Sequence, residues 1–236
     1  HGGAMSAQAM GAQKMGIRIA LLGAESTGKT ALADGIAAHF KAQGQDVVLV
    51  PEVLRVWCDA AGRTPRPEEQ MGIALEQARR TTEAPAAALL VADTTPLMVA
   101  VYSDFLFGDT SLYPMALQHQ RLYDLTLLTG LDLPWVADGL QRDGEHVRVP
   151  VDQRVRAALD GAGIPYRIVY GTGPSRLENA LYAINSIAFG AYGMGAGGQF
   201  RSNNVTTRPW TCGKCSDPDC EHQLFSALLQ QDAKKT

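Results

Sequence analysis

The sequence predicts an α/β fold, a doubly wound parallel sheet of five strands with helices on both faces. Three observations carry this. Short apolar runs at 17–22, 46–50, 87–92, 125–129 and 166–170 alternate with segments of helical periodicity. Near-continuous apolar strands of this kind are buried on both faces, as the strands of parallel sheets are. Between the first run and the first helix stands Gly23-Ala24-Glu25-Ser26-Thr27-Gly28-Lys29-Thr30, a full match to the phosphate-binding pattern G-x-x-x-x-G-K-[ST]. Finally, 236 residues, 46% of them hydrophobic and 19% charged, suffice for one such sheet and a small appendage. The expected fold class is therefore that of a P-loop NTPase.

The elements follow in order. Residues 1–15, rich in Gly, Ala, Gln and Met and without periodicity, read as a purification remnant and a flexible start. Ile17-Arg18-Ile19-Ala20-Leu21-Leu22 suits a buried strand. The helix 31–42 places Leu32, Ile36, Ala37 and Phe40 at helical spacing. A second strand, 46–50, ends at Pro51. Helix 68–82 has Pro67 just before its first turn, Glu68 and Glu69 near its positive end, and Arg79 and Arg80 near its negative end. Asp93 closes the third strand. Helices at 95–106, ending near Gly108, and at 113–123 precede the fourth strand. Helix 150–160 carries Val151, Val155, Ala158 and Leu159 on one side and stops at Gly161 and Gly163. The fifth strand leads to a last helix, 175–187, with Leu177, Leu181 and Ile184 on one face. The expected organisation is a P-loop kinase-like domain at 16–189, a Gly-rich and polar linker at 190–211, and a Cys-rich tail at 212–236.

Charge and hydropathy narrow the function. A net charge of −3 argues against general nucleic-acid binding, which rests on concentrated Lys and Arg. No stretch approaches the ~18 uncharged apolar residues of a membrane span. A cytoplasmic protein with reduced thiols is expected.

The loop chemistry follows from its residues. Gly23 and Gly28 let the backbone curl so that successive N–H groups face an anion, and the helix start at Thr30 and Ala31 adds partial positive charge. Glu25, Ser26 and Thr27 complete the cradle. Lys29 is expected at the β- and γ-phosphates of ATP, and Thr30 offers a hydroxyl to Mg²⁺. In doubly wound sheets ligands gather at the carboxyl ends of the strands, which brings Glu52, Asp93 and the 132–142 segment to the loop. Asp93 is the candidate Mg²⁺ carboxylate, and Glu52 the candidate acceptor of a substrate hydroxyl proton. The plain alternative for each is a solvated strand-end carboxylate. Arg142 and Arg148, in the loop before helix 150–160, are candidates to close over the phosphates; Arg154 and Arg156 lie within the helix. Their plain alternative is a charged surface.

Several motifs together are familiar: the phosphate loop, Val50-Pro51-Glu52-x-x-Arg55, Asp93-Thr94-Thr95-Pro96-Leu97, Tyr102-Ser103-x-x-x-Phe107-Gly108, and Asp132-Leu133-Pro134-Trp135-Val136-x-Asp138-Gly139-Leu140. From about residue 17 to 187 the chain resembles the NadR-like ribosylnicotinamide kinases, a P-loop group that also holds ATPases without assigned substrates. The resemblance implies ATP, Mg²⁺ and phosphorylation of a nucleoside 5′-hydroxyl, with nicotinamide riboside the leading acceptor. It implies that Arg55, Tyr102, Asp104, Trp135 and Asp138 join Glu52 near the nucleoside, with Trp135 as a stacking partner.

The tail has its own chemistry. Cys212, Cys215, Cys220 and His222 form C-x₂-C-x₄-C-x-H, four ligands suited to tetrahedral, structural Zn²⁺. An unligated reduced loop and a redox site are the alternatives. Cys58, far away in sequence, reads as a core thiol. Two functions therefore compete: a small-molecule kinase, and an NTP-binding regulatory ATPase whose tail docks a protein partner or a second copy of the chain.

Overall fold

A computed structural model describes residues 16–136 and 145–191. Five strands, β1 (Ile17–Leu22), β2 (Val47–Val50), β3 (Leu89–Asp93), β4 (Leu125–Thr129) and β5 (Arg167–Val169), form one sheet in the order β2-β3-β1-β4-β5. Every pairing is parallel. The chain winds outward from β1 in both directions, so a crevice opens at the carboxyl end of β1, where the winding reverses. The register sets Leu21 beside Asp93 on β3 and Leu22 beside Leu128 on β4.

Alternation along the strands decides which helix lies where. Ile19 and Leu21 of β1, Val91 of β3 and Leu127 of β4 point to one face, covered by α1 (Lys29–Ala42) and α7 (Gly173–Ala191) through Leu32, Ile36, Phe40, Ala180 and Ile184. Leu22, Leu128 and Ile168 point to the other face. There they meet Leu97 of α4 (Pro96–Phe107) and Val151, Val155 and Leu159 of α6 (Arg148–Gly161). Ile73 and Ala74 of α3 (Pro67–Thr82) and Ala116 of α5 (Tyr113–Gln120) join the same core. The first six residues of α4 are all buried, which makes it the central helix of this layer.

Helix ends follow local chemistry. The α3 N-terminus combines Pro67 with a capping box, in which Glu69 accepts the Arg66 amide at 2.7 Å. Its far end carries ion pairs of Glu76 with Arg79 and Arg80. Thr95 caps α4 by accepting the Leu97 amide at 3.3 Å, and donates to Gln120 at 2.6 Å; Gln120 in turn donates to Thr126 at 2.9 Å. This chain of buried polar groups ties α4 and α5 to β4. Gly108, with φ 69°, ends α4 in the left-handed conformation that glycine takes without steric cost.

Among the described residues the predicted sheet and the helices expected around it are present. Two differences matter for the site. A nine-residue helix, α2 (Val53–Ala61), stands where no element was predicted. The segment before α6 is also shorter than expected: a 3₁₀ turn at Glu145–Val147 runs straight into the helix, which starts at Arg148 rather than at Pro150. No helix among the described residues is long and apolar enough to cross a membrane.

Leu127 is fully buried at the centre of the sheet. Truncation to alanine leaves a cavity that the rigid sheet cannot close, and Leu127→Ala is expected to cost about 2–5 kcal/mol in urea denaturation.

Candidate functional site

The phosphate loop leaves β1 through a backbone path that side chains resist. Gly23 has φ 150°, and a Cβ there would come within 2.0 Å of the Thr129 hydroxyl on β4. Ser26 takes φ 53°, and Gly28 takes φ 75° as the N-cap of α1. Hydrogen bonds then fix the curl. Thr27 donates to the Ala24 carbonyl at 2.8 Å, and the Thr129 hydroxyl lies 2.6 Å from the Thr27 oxygen and 3.1 Å from the Leu22 carbonyl. The Lys29 ammonium donates to the Ala24 carbonyl at 2.8 Å.

Arg176 supports the loop from the α7 side. Its buried guanidinium donates to the Thr27 carbonyl at 2.8 Å, the Gly130 carbonyl at 3.2 Å, the Gly171 carbonyl at 2.8 Å and Asp132 Oδ1 at 2.9 Å. The other carboxylate oxygen of Asp132 accepts the Gly171 amide at 2.6 Å. One arginine thus joins the phosphate loop to the turns after β4 and β5. Across the loop, Ser26 donates to the Val136 carbonyl at 2.6 Å, which draws the 131–136 segment over the loop.

Beside Lys29, the Thr30 hydroxyl donates to Asp93 Oδ2 at 2.6 Å. Asp93 is only 3% exposed, and its Oδ1 has no hydrogen-bond partner among the described residues. A buried carboxylate oxygen left unmatched next to a hydroxyl is the oxygen-donor set that a hard divalent ion such as Mg²⁺ takes. The residues fit the ion. Thr94, the next residue, has φ 69°, a conformation that a β-branched side chain adopts only under constraint.

A cleft of about 380 Å³ opens from this point. Glu25 and Lys29 of the phosphate loop line it together with Thr94, Glu52, Arg55 and Tyr102. Gln70, Met98, Leu106 and Phe107 extend it between α3 and α4. Glu52 is the N-cap of α2, where the helix dipole favours a carboxylate, and it pairs with Arg55 at 3.7 Å. Gln77 of α3 holds this corner in place: it accepts the Val53 amide at 2.8 Å and donates to the Pro51 carbonyl at 3.3 Å.

The expected site residues divide clearly. Glu52, Arg55 and Tyr102 line one cleft with Glu25 and Lys29, and Thr30 contacts Asp93. Asp104 does not line that cleft. It accepts from the Tyr113 hydroxyl at 3.0 Å and pairs with Arg154 at 3.2 Å, in the layer of α5 and α6. The cause is helical period: two residues after Tyr102 the side chain has turned by about 200°. Burial and the neighbouring Asp104 carboxylate push the Tyr113 phenol above its usual range. Arg148, expected in a mobile loop over the phosphates, is the first residue of α6, 5% exposed, with its guanidinium on the Leu131 carbonyl at 3.3 Å. Arg154 and Arg156 pair with Asp104 and Asp152. Trp135 is half-buried beside the latch at Val136 and is not part of the cleft wall. Arg142, Asp138, Cys212, Cys215, Cys220 and His222 lie outside the described residues. Among the described residues no cluster of three or more His, Cys, Asp or Glu side chains is arranged to hold a metal.

Arg176, Gln77 and Gln70 were not singled out from the sequence. The sequence hint for Arg176 was its place just after Gly171-Thr172-Gly173, where Gly171 (φ 106°) and Gly173 (φ 50°) bring the chain back to the phosphate loop. The glutamines share the inner face of α3 with Ile73 and Ala74, and a polar residue on an apolar stripe was the available signal.

Sheet order, phosphate loop and paired Thr30–Asp93 together define a P-loop nucleotide-binding protein of the kinase type of fold. The chain belongs to the AAA domain family, whose model matches residues 18–176. No curated protein sequence matches it significantly. Among solved structures it resembles a NadR protein in complex with NR, with a TM-score of 0.59 and 16% identity over 78% of this chain and 53% of that one. A second NadR structure, with NAD and AMP-PNP, gives a TM-score of 0.57 at 16% identity over 78% and 52%. Thymidylate kinase from Ehrlichia chaffeensis gives 0.53 at 10% identity, over 74% of this chain and all of that one. The chain spans about half the length of the NadR chains it matches. At these identities the likeness is one of fold.

Because Arg176 ties three loops together from a buried position, Arg176→Met is expected to cost about 2–4 kcal/mol, somewhat discounted because Asp132 is partly exposed. Titration of a fluorescent ADP analogue is expected to show affinity weakened about tenfold, ~1.4 kcal/mol.

Proposed function

We propose that the protein is an ATP-dependent kinase that transfers the γ-phosphoryl group to the 5′-hydroxyl of a nucleoside, with nicotinamide riboside the leading acceptor. One observation carries the reading: Lys29 of the phosphate loop and Glu52 at the start of α2 line the same cleft. Its volume falls within the range of small-molecule sites. A donor that ends at Lys29 and an acceptor seated against Glu52 would meet inside it.

In this reading the loop amides and Lys29 hold the β- and γ-phosphates, and Thr30 and Asp93 hold Mg²⁺. The ion, when bound, screens the phosphate charge and orients the γ-phosphoryl group. The Glu52 carboxylate accepts the proton of the attacking hydroxyl, and Arg55 holds Glu52 in place. Tyr102 packs against the nucleoside. Lys29 matches the charge that develops on the transferred group, in a cleft whose low dielectric strengthens that contact. The NadR relative that binds NR supports the acceptor class. Outside the described residues, Asp138 and Arg142 are assigned to acceptor and phosphate contacts by the same reading.

A regulatory ATPase is the second reading, favoured by the AAA description of the matching family. The two differ in what stimulates turnover. A coupled assay of ADP release against a nucleoside panel is expected to show strong stimulation by at least one nucleoside. Slow hydrolysis indifferent to every nucleoside would overturn the kinase reading. Glu52→Gln is expected to lower kcat by about 10²–10⁴, the usual contribution of a general base, with ATP affinity nearly unchanged.

For the tail we propose structural Zn²⁺ on Cys212, Cys215, Cys220 and His222. Metal analysis of protein purified without added zinc is expected to give about one Zn per chain, as a four-ligand site holds. Negligible metal in a fully stable protein would contradict it.

A further inference from the structure

Apart from Ser26 in the phosphate loop, Thr94 is the only non-glycine among the described residues with a positive φ, 69°. That conformation is unfavourable for a side chain, and most of all for a β-branched one. It has a topological use. Asp93 closes β3 and Thr95 caps α4, so a single left-handed residue turns the strand into the helix. The Thr94 amide donates to the Leu21 carbonyl of β1 at 3.1 Å, which pins the turn. Glycine makes such a turn without steric cost. Threonine keeps a side chain at this point at a cost in stability, and strain of that kind clusters at active sites.

Its place is where the two halves of the site meet. In the sheet, β3 lies between β1, which feeds the phosphate loop, and β2, which leads to Glu52. The register sets Asp93 beside Leu21 and Ala92 beside Val50, so the carboxyl ends of the three strands are nearly level. Neighbouring strands are about 4.8 Å apart, and Thr94 follows Asp93 at roughly that spacing from the chain on either side. It lines the cleft together with Lys29 and Glu52. Among the described residues its hydroxyl makes no hydrogen bond. The residue is 3% exposed, but its oxygen is not sealed in as Asp93 Oδ1 is, so the surface that remains includes the hydroxyl.

Resting on the kinase reading above, we propose that Thr94 is a further catalytic residue, whose hydroxyl donates a hydrogen bond to a non-bridging oxygen of the γ-phosphoryl group during transfer. The neighbour in sequence favours this partner over the riboside. Asp93 accepts from Thr30 of the phosphate loop at 2.6 Å, which sets Thr94 at the phosphate end of the donor. As the bond to the leaving oxygen lengthens, charge spreads over the three equatorial oxygens of the group in flight. A fixed donor aimed there strengthens in the transition state more than in the ground state. A hydroxyl adds that donor without a second positive charge beside Lys29. The locked turn and the stiff χ1 of a β-branched residue hold it in one direction.

The test compares Thr94→Val and Thr94→Ser in the full chain, with Mg-ATP and the nucleoside that most stimulates ADP release in the wild type. Valine keeps the shape and the branching and removes the hydroxyl; serine keeps the hydroxyl. Thr94→Val is expected to lower kcat by about 10- to 100-fold, the worth of one hydrogen bond to a charged group. Both KM values and Tm are expected to stay near wild type, the pattern of a contact made only in the transition state. Thr94→Ser is expected to keep most of the wild-type kcat. In equilibrium binding, Thr94→Val is expected to weaken ADP with magnesium fluoride, a mimic of the group in flight, and to leave ADP alone unaffected. Should Thr94→Val fold poorly, Thr94→Ala takes its place. A wild-type kcat in the hydroxyl-free variant, equal losses in that variant and in Thr94→Ser, or an unchanged affinity for the fluoride complex overturns the assignment while the kinase reading stands. If the wild type phosphorylates no nucleoside, the kinase reading falls and this assignment with it.

Discussion

The curl of backbone from Gly23 to Thr30 is the constraint on which the rest of the site depends. It must turn from the end of β1 into α1 within a few residues while its amides converge. That requires positive φ at Gly23, Ser26 and Gly28. Such a path has no intrinsic stability and persists only because its surroundings over-determine it. Thr129 presses on Gly23 so closely that no side chain fits, and Arg176 binds the Thr27 carbonyl from the opposite flank. The Asp132–Gly171 contact closes the ring of loops. The large buried faces of the central strands supply the stability that holds this strained path in place.

A second layer turns the nucleotide-binding loop into a two-sided cleft. The helices α2, α3 and α4 bring Glu52, Arg55, Gln70 and Tyr102 into one cleft with Lys29. The support is again polar, buried at Gln77 and exposed at Arg63. Gln77 seats the start of α2, while Arg63, in the loop between α2 and α3, pairs with Glu69 of α3 and lies over the Trp57 ring of α2. Each fixes a backbone junction rather than contributing bulk, which is how a small number of hydrogen bonds can hold a carboxylate at a defined place. The Thr30–Asp93 pair sits at the seam between the two halves, where charge from both partners would meet.

Much of this was legible in the sequence because it is local. The five strands announce themselves as apolar runs, and the phosphate loop needs only eight consecutive residues. The placement of Glu52 and Asp93 beside the phosphate loop followed from position alone, as acids at strand ends that a doubly wound sheet gathers on one edge. The failures have physical causes. Asp104 stood two residues from Tyr102, and a helix sends such neighbours to opposite faces. Arg148 looked like a loop residue until the 3₁₀ turn at Glu145–Val147 carried the helix back to it and buried it. The helix α2 is short, and its apolar inner residues Val53, Leu54, Trp57 and Cys58 fall within six positions, too brief a run to stand out as a periodic stripe. Arg176 reaches Thr27 across 149 residues of sequence, a contact no local pattern encodes.

The central claim is that phosphate donor and hydroxyl acceptor share the cleft between Lys29 and Glu52. The most direct measurement is a crystal structure with Mg²⁺, a non-hydrolysable ATP analogue and nicotinamide riboside together. The account expects the terminal phosphate on Lys29, with the riboside in the 380 Å³ cleft and its 5′-hydroxyl within hydrogen-bond reach of Glu52. A riboside bound elsewhere, or seated in the cleft with that hydroxyl turned away from both Glu52 and the phosphate, would contradict it.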